Sequence, residues 1–349
     1  MEFTDQPPDP KPRRDVLQQR INRLETLRAG RYPVDAGVRA NLTRWAKESA
    51  TQLTDIPIRV GFVRRVPSLV EEEYDTAKLV DRPKSALPRQ PPLAALASLT
   101  KGVGLPLGLT LMYLAQTGDA LGRDARLKLT IDGDDDALGL IDLIAIAASH
   151  NPSPNAAFAS NSRNNRKRQI RDALVQLSKL GLAEVPPGGR KGEPRFDDQV
   201  HLNRENGPTA AGTKRYQRPG AKVKTLDIPA TFFTNGWVHA LSKSETAMWL
   251  MLRDLKHLGN APVDRLTVRG RDRLLEYDLS RAMWDTHATL EAYGLIVVHR
   301  DPNRRRNGTT TAGERAEPHR FELRDEGLHE NGLSTVISTL TEIRSRKGG

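Results

Sequence analysis

Cysteine is absent from this sequence of 349 residues. Disulfide bridges, thiol nucleophiles and cysteine-ligated zinc sites are therefore excluded. No stretch approaches the roughly 20 consecutive apolar residues that a membrane-spanning helix needs. The first residues, MEFTDQPPDPKPRR, lack the apolar segment of a secretory signal. We therefore expect a cytoplasmic protein without a membrane partner.

The motifs of several common catalytic sites are also missing. There is no GxxxxGK[ST] phosphate-binding loop, no HExxH zinc motif and no His-x-His pair of the kind that rolling-circle nickases use. The acidic run Asp132–Asp136 departs from the calcium-loop pattern, because Ala137 stands at the glycine position and Leu143 at that of the bidentate acid. We expect this run to be a solvated loop, and the protein to have no enzyme activity, metal or cofactor.

Aromatic residues are scarce, at 5%, and hydrophobic residues make up only 37% of the chain. Lys and Arg (54) exceed Asp and Glu (43), which gives a formal net charge of +11 at pH 7. A basic balance favours a polyanionic partner, usually nucleic acid, although ribosomal and membrane-surface proteins share it. The length predicts two or three domains, and the composition is typical of compact helical domains joined by linkers.

The segment Ser162–Val185 (SRNNRKRQIRDALVQLSKLGLAEV) predicts a helix that ends at a glycine and continues as a strand. Its apolar residues recur at helical spacing: Ile170, Leu174, Leu177 and Leu180. Gly181 is a helix-ending signal, because glycine adopts the left-handed conformation without steric cost. The front half of the helix is crowded with cations, most of which point away from the apolar stripe: Arg163, Arg166, Lys167, Arg168 and Arg171.

A similar segment, Ser280–Val298 (SRAMWDTHATLEAYGLIVV), follows later in the chain. Five of its positions correspond to positions of the first segment. Met283, His287 and Leu290 correspond to Ile170, Leu174 and Leu177, and Gly294 and Leu295 correspond to Gly181 and Leu182. Such internal repetition indicates a duplicated unit. A basic helix that buries its back and leads into a strand is typical of a major-groove recognition helix followed by a wing. We expect His287 to be a packed core residue.

Duplex DNA requires cations that neutralise phosphates and side chains that read base edges. Arg168 and Arg171 are the first choices for reading guanine, and Asn164 or Asn165 either reads adenine or begins the helix. The equivalent positions of the second segment are Ser280, Arg281, Trp284 and Asp285. Trp284 either contacts a sugar or thymine methyl or packs in the core. Phosphate or minor-groove contacts are expected at two wing tips: Arg190, Lys191, Arg304, Arg305 and Arg306.

The two units resemble winged helix-turn-helix domains over roughly residues 95–325. Their tandem order is similar to that of plasmid replication initiators with two winged helices and of tandem winged-helix regulators. The segments RQPPLAALASL, GLPLGLTLMYLAQ and IPATFFTNGWVHALSKSETAMWLML resemble an uncharacterised actinobacterial family, which implies no activity. The winged-helix resemblance implies a mainly α, α+β chain with small β-wings, with the third helix of each unit in the major groove at Arg166–Arg171 and Ser280–Asp285.

These patterns divide the chain into five parts: an N-terminal helical and extended region with a linker (1–92), a first winged-helix domain (93–203), a linker (204–225), a second winged-helix domain (226–325), and a C-terminal helix with a basic tail (326–349). In the first domain we expect helices over 105–118 and 137–149, separated by a polar loop. In the second, Ser242–Glu245 is a capping box, and helices are expected over Arg269–Tyr277 and Ser280–Tyr293. The apolar stripes of 15–28 and 326–345 admit either a homodimer contact or packing within the chain.

The predicted function is sequence-specific binding of double-stranded DNA in the nucleoid, by a transcriptional regulator, for example of a mobile element. The alternative is a plasmid-type replication initiator or partition protein that binds iterated origin sites. A DNA nicking or recombination enzyme is disfavoured, because the metal and nucleophile patterns of such enzymes are missing.

Overall fold

The computed structural model describes residues 15–29, 34–48, 53–65, 89–99, 102–117, 126–127, 130–133, 138–147, 162–184, 200–209, 212–259, 262, 264–301 and 317–348. Within these ranges the chain is mainly helical with small antiparallel sheets, which confirms the predicted α+β class. No helix in this part of the chain is long and apolar enough to cross a bilayer.

The helices are α1 (Val16–Ala29), α2 (Asp35–Glu48), α3 (Pro92–Ser98), α4 (Gly104–Thr117), α5 (Leu140–Leu143), α6 (Ser162–Lys179), α7 (Thr231–Thr234), α8 (Trp237–Ala240), α9 (Lys243–Leu258), α10 (Gly270–Leu275), α11 (Arg281–Trp284), α12 (His287–Ala292) and α13 (Gly332–Gly348). The strands are β1 (Asp55–Arg59), β2 (Arg126–Leu127), β3 (Ala183–Glu184), β4 (Val200–Leu202), β5 (Thr225–Pro229), β6 (Ile296–His299) and β7 (Arg320–Leu323). Two 3-10 helices occupy Val60–Phe62 and Asp325–His329.

The first unit, residues 93–203, contains a sheet in the order β2-β4-β3. Helix α4 lies in the core and is buried over nearly its whole length, as its uniformly apolar sequence predicts. Two expectations were wrong in detail. The polar stretch after α4 includes strand β2, and the expected helix over 137–149 is reduced to α5. That helix ends because Ile144 adopts an extended conformation (φ −132°, ψ 120°).

The second unit, residues 226–325, has β6 paired with β7, and Leu266 forms an antiparallel bridge with Phe321 of β7. The single helix expected over Ser280–Tyr293 is instead divided into α11 and α12. At the break, the Thr286 hydroxyl donates to the Met283 carbonyl over 2.6 Å. Such a side-chain bond to the backbone competes with the regular helical pattern.

The two units share several backbone pairings, although the helix before the hairpin is continuous in the first and divided in the second. Equivalent residues are paired in both units. Leu127 pairs with Val200, as Leu266 does with Phe321 in an isolated bridge, and Ala183 pairs with Leu202, as Ile296 does with Leu323. The helices that precede the two hairpins, α6 and α12, end in the same kind of turn. The Leu182 N–H donates to the Leu177 carbonyl (2.9 Å) and the Leu295 N–H to the Leu290 carbonyl (3.1 Å). The sequence repeat therefore corresponds to a repeated structure.

The glycines in these turns are both left-handed, with φ +71° at Gly181 and +75° at Gly294. We expect Gly294→Ala to lower the free energy of unfolding by about 1–2 kcal/mol, because a side chain is strained in this conformation. Gly181→Ala should lower it further, because the added Cβ would lie 2.9 Å from Pro208 Cδ, whereas at Gly294 it meets nothing within 4 Å. Urea unfolding of the two variants tests this ordering, and equal losses of unfolding free energy would contradict it.

The N-terminal helices and β1 are part of the same body as the two units. Strand β1 pairs antiparallel with β5, and α2 packs on α5 of the first unit and α7 of the second. Helix α1 packs against α13. The apolar stripes considered for a homodimer are thus buried within the chain: Ile21, Leu24 and Leu27 of α1 and Leu333, Val336, Ile337 and Leu340 of α13. This favours the alternative of packing within the chain.

The segment expected to be a linker, 204–225, has little regular structure in its described part but is not loosely held. The Glu205 side chain is fully buried and forms an ion pair with Arg59 of β1 (2.7 Å). The Tyr216 ring is also fully buried, and Gln116 of α4 donates to its hydroxyl over 2.7 Å. Buried charge and hydrogen bonding therefore attach this segment to the core.

Candidate nucleic-acid interface

Helix α6 has one buried face and one exposed face. Its buried residues are those of the predicted stripe together with one alanine, and they face α4: Ile170, Ala173, Leu174 and Leu177. Leu180, the last stripe position, is half-buried. Asn164, Arg168 and Arg171 are exposed on the opposite side, spaced by about one helical turn. The predicted first choices for base reading therefore lie on a solvent-exposed face.

Two cations at the front of α6 are paired with the acidic loop of the first unit. Lys167 Nζ lies 2.6 Å from Asp132 Oδ2, and Arg163 Nε donates to Asp132 Oδ1 over 2.9 Å. The hydrogen bond from Lys167, together with Arg163, lowers the pKa of the Asp132 carboxyl. Asp132 is thus an ion-pairing partner of α6, in contrast to the solvated loop residue that the sequence suggested.

Arg166 differs from its neighbours because its side chain turns towards α5. The guanidinium is half-buried and donates to the Ile141 carbonyl. Burial lowers the pKa of Arg166, although the group stays cationic at neutral pH. Asn165 is also half-buried. The expectation that Arg166 belongs to the groove-facing set therefore does not fit this geometry, because its donors face the protein.

The four candidate positions of the second unit have defined structural roles. The Ser280 hydroxyl accepts from the Met283 N–H (3.3 Å) and caps α11. The exposed Arg281 forms an ion pair with Asp285, which lies one turn away (2.9 Å). Arg281 and Asp285 therefore remain at the surface, but their charged groups are paired with each other.

Trp284 packs against the hydrophobic core, which favours the second of its two interpretations. Its ring is half-buried and perpendicular to that of Phe321, with centroids 5.2 Å apart. The guanidinium of Arg273 lies 5.5 Å from the centre of the Trp284 ring. His287, expected to be a packed residue, lies beside this cluster, with its Nδ1 2.8 Å from the Trp284 carbonyl and its ring 5.8 Å from that of Phe321. These side chains support the sheet of the second unit.

The wing-tip cations lie outside the described residues: Arg190, Lys191, Arg304, Arg305 and Arg306. Two other exposed arginines, Arg269 at the N-cap of α10 and Arg271 within it, are outside the predicted contact set. The arginine-rich run RLTVRGRDR was the available sequence signal for them. They extend the basic surface of the second unit.

A cleft of about 660 Å³ lies between α2 and the turn that follows α7. Its lining includes the cations Arg39, Arg44 and Lys47 and the acid Glu48. Arg39 is itself held by Asp35, with Nε 2.9 Å from Oδ2. The excess of positive charge would suit an anionic group, so this cleft adds to the basic surface of the protein.

The exposed face of α6 thus combines an amide and two guanidinium groups on a rigid support. In the described part of the chain, no three His, Asp or Glu side chains converge in a group that could hold a metal ion. No family model, curated protein or solved structure matches the chain.

Proposed function

We propose that this protein binds double-stranded DNA sequence-specifically through two winged-helix units and acts as a transcriptional regulator. The observation that carries the proposal is an order that both units share: a helix, an extended segment, two helical segments and a hairpin. The extended segment is strand β2 in the first unit and the single bridged residue Leu266 in the second, and in each unit it pairs with the last strand. The second helical segment is continuous in α6 but divided into α11 and α12. The shared order is that of a winged helix. Helix-turn-helix proteins of this kind place the last helix before the hairpin in the major groove.

Charge and dimensions support the same proposal. The net charge of +11 favours a polyanion, and arginines on an exposed helix can contact both phosphates and guanine edges. Helix α6 has 18 residues, which corresponds to roughly 27 Å at 1.5 Å per residue. That length exceeds the major-groove width of about 12 Å. The helix is therefore long enough to present its exposed face along the groove.

A plasmid-type replication initiator or partition protein is the second candidate. It is favoured by the shared core of the two units, because their linking segment is packed and β1 pairs with β5 between them. Such an arrangement holds two DNA-binding units at a fixed spacing, as iterated origin sites require. Binding sites within a promoter support a regulator, whereas repeated sites beside an origin support an initiator.

Selection of bound fragments from genomic DNA tests the proposed function. We expect the purified protein to bind the selected duplex about 1,000-fold or more tightly than a scrambled duplex of the same length at the same salt concentration. The affinity for the scrambled duplex should fall steeply as salt is raised, because counterions are released on binding. Equal affinity for selected and scrambled DNA, or no binding at low salt, would exclude it.

The exposed arginines of α6 are the most direct targets for mutation. Arg168→Ala and Arg171→Ala should each weaken binding to the selected duplex by about 1–3 kcal/mol, because a bidentate contact with a base is lost. Fluorescence anisotropy titrations measure the change. Lys179→Ala, an exposed cation at the far end of the same helix, is the matched control and should leave the ratio of selected to scrambled affinity unchanged.

A further inference from the structure

The shared glycine turn allows the third helices of the two units to be aligned residue by residue. Matching Gly181 to Gly294 in the sequence places Arg168 and Arg171 of α6 opposite Arg281 and Trp284 of α11. Asn164 falls opposite Tyr277, which lies in the turn between α10 and α11. In α6 all three side chains are exposed and bear hydrogen-bond donors. Their counterparts show whether the second unit offers the same chemistry.

Two of the three counterparts are turned into the protein. The Tyr277 ring is buried, and its hydroxyl donates to the carboxylate of Asp254 over 2.8 Å. The Trp284 ring packs on Phe321 and under Arg273. Neither side chain can reach a base edge without breaking these contacts.

The third counterpart, Arg281, is exposed but already ion-paired. Its guanidinium contacts the Asp285 carboxylate at 2.9 Å, so a base contact would have to displace that acid and bring it close to DNA phosphates. The other exposed residues of α11 and α12 include Ala282, Ala288 and Ala292, whose side chains carry neither donors nor acceptors. The helix is also divided, whereas α6 is continuous over 18 residues.

We propose that the first unit alone reads the base sequence, through Asn164, Arg168 and Arg171, and that the second unit binds the DNA backbone without base preference. This inference rests on the proposed DNA-binding function and assigns its specificity. Exposed arginines at α10, Arg269 and Arg271, provide the charge for backbone contacts. The duplicated fold then serves two purposes, recognition in one copy and attachment in the other.

The width and pattern of the selected DNA motif test this division of roles. We expect fragments selected from a random-sequence library by the full-length protein to share one cluster of fixed base pairs, of the length that one helix covers. Two clusters separated by a constant spacing would overturn the inference but leave the proposed function intact. Fragments without any shared bases would exclude the proposed function and the inference together.

Two variants at equivalent positions of the two units provide a second test of the inference. Arg168→Ala should reduce affinity for the selected duplex about tenfold or more and relax the preference at one or two positions of the motif. Arg281→Ala, at the equivalent position, should weaken selected and scrambled duplexes by the same factor and leave the selected motif unchanged. A motif altered by Arg281→Ala would show base reading by the second unit. Circular dichroism and urea unfolding establish that both variants, which change exposed residues, retain the fold.

Discussion

Replacing Glu205 with alanine is expected to lower the free energy of unfolding by about 3–5 kcal/mol, because one partner of a buried ion pair is removed. The Glu205 side chain is 0% exposed and that of Arg59 is 9% exposed. The carboxylate accepts from the Arg59 backbone N–H over 2.9 Å and from its Nη1 over 2.7 Å. In the variant, the guanidinium would stay buried with the Gln217 carbonyl, 2.8 Å from Nη2. Urea unfolding monitored by circular dichroism measures the loss.

Two further variants separate the buried charge from general effects of mutation. Glu25→Ala removes an exposed ion pair with Arg28 and should change the free energy of unfolding by no more than about 1 kcal/mol. The double variant Arg59→Met with Glu205→Leu should lower the free energy of unfolding by less than Glu205→Ala does, because no unpaired charge remains. If Glu205→Ala loses under about 1 kcal/mol, the segment is a loose linker after all.

The sequence suggested a loose linker at this segment for an understandable reason. Its residues are mostly polar and turn-forming, and such composition is typical of solvated connections. Burial here depends on Glu205 finding Arg59, which precedes it by 146 positions in the chain. Composition and periodicity describe neighbours along the chain, so they carry no information about a distant charge that compensates another.

Local signals predicted the structure well where the stabilising contacts are also local. The helix and glycine turn of α6 lie where the apolar stripe and Gly181 placed them. The capping box forms as expected, with Ser242 Oγ accepting from the Glu245 N–H (3.2 Å) and Glu245 Oε2 accepting from the Ser242 N–H (2.7 Å). The same carboxylate also binds Arg20 of α1, a long-range contact that no local pattern contains.

The candidate interface was predictable in part for the same reason. Helical spacing placed Arg168 and Arg171 on the face opposite the stripe, and both are exposed. The spacing could not show that Arg166 bonds to the Ile141 carbonyl, because α5 lies at a different point of the chain. It also could not show that Trp284 packs on Phe321, since that contact depends on the pairing of β6 with β7.

Acidification is expected to destabilise the protein through His239. This residue, in α8, is buried, and neither ring nitrogen has a hydrogen-bond partner among the described residues. Burial lowers its pKa to about 3, whereas a histidine in an unfolded chain has a pKa of about 6.5. Above pH 6.5 both states are neutral and the residue has no effect. As the pH falls below 6.5, only the unfolded state gains the proton, and folding stability decreases by about 1.4 kcal/mol per pH unit.

Between pH 8 and pH 5 this linkage predicts a loss of about 2 kcal/mol from His239 alone. Other groups titrate in the same interval, so the informative quantity is the difference between the wild type and variants that lack the imidazole. His239→Leu and His239→Gln differ in polarity but both remove the ionisable group. Urea unfolding at a series of pH values should therefore show both losing about 2 kcal/mol less than the wild type between pH 8 and pH 5. Curves parallel to that of the wild type would mean that the imidazole takes up its proton in the folded state, through an opening of the core around α8.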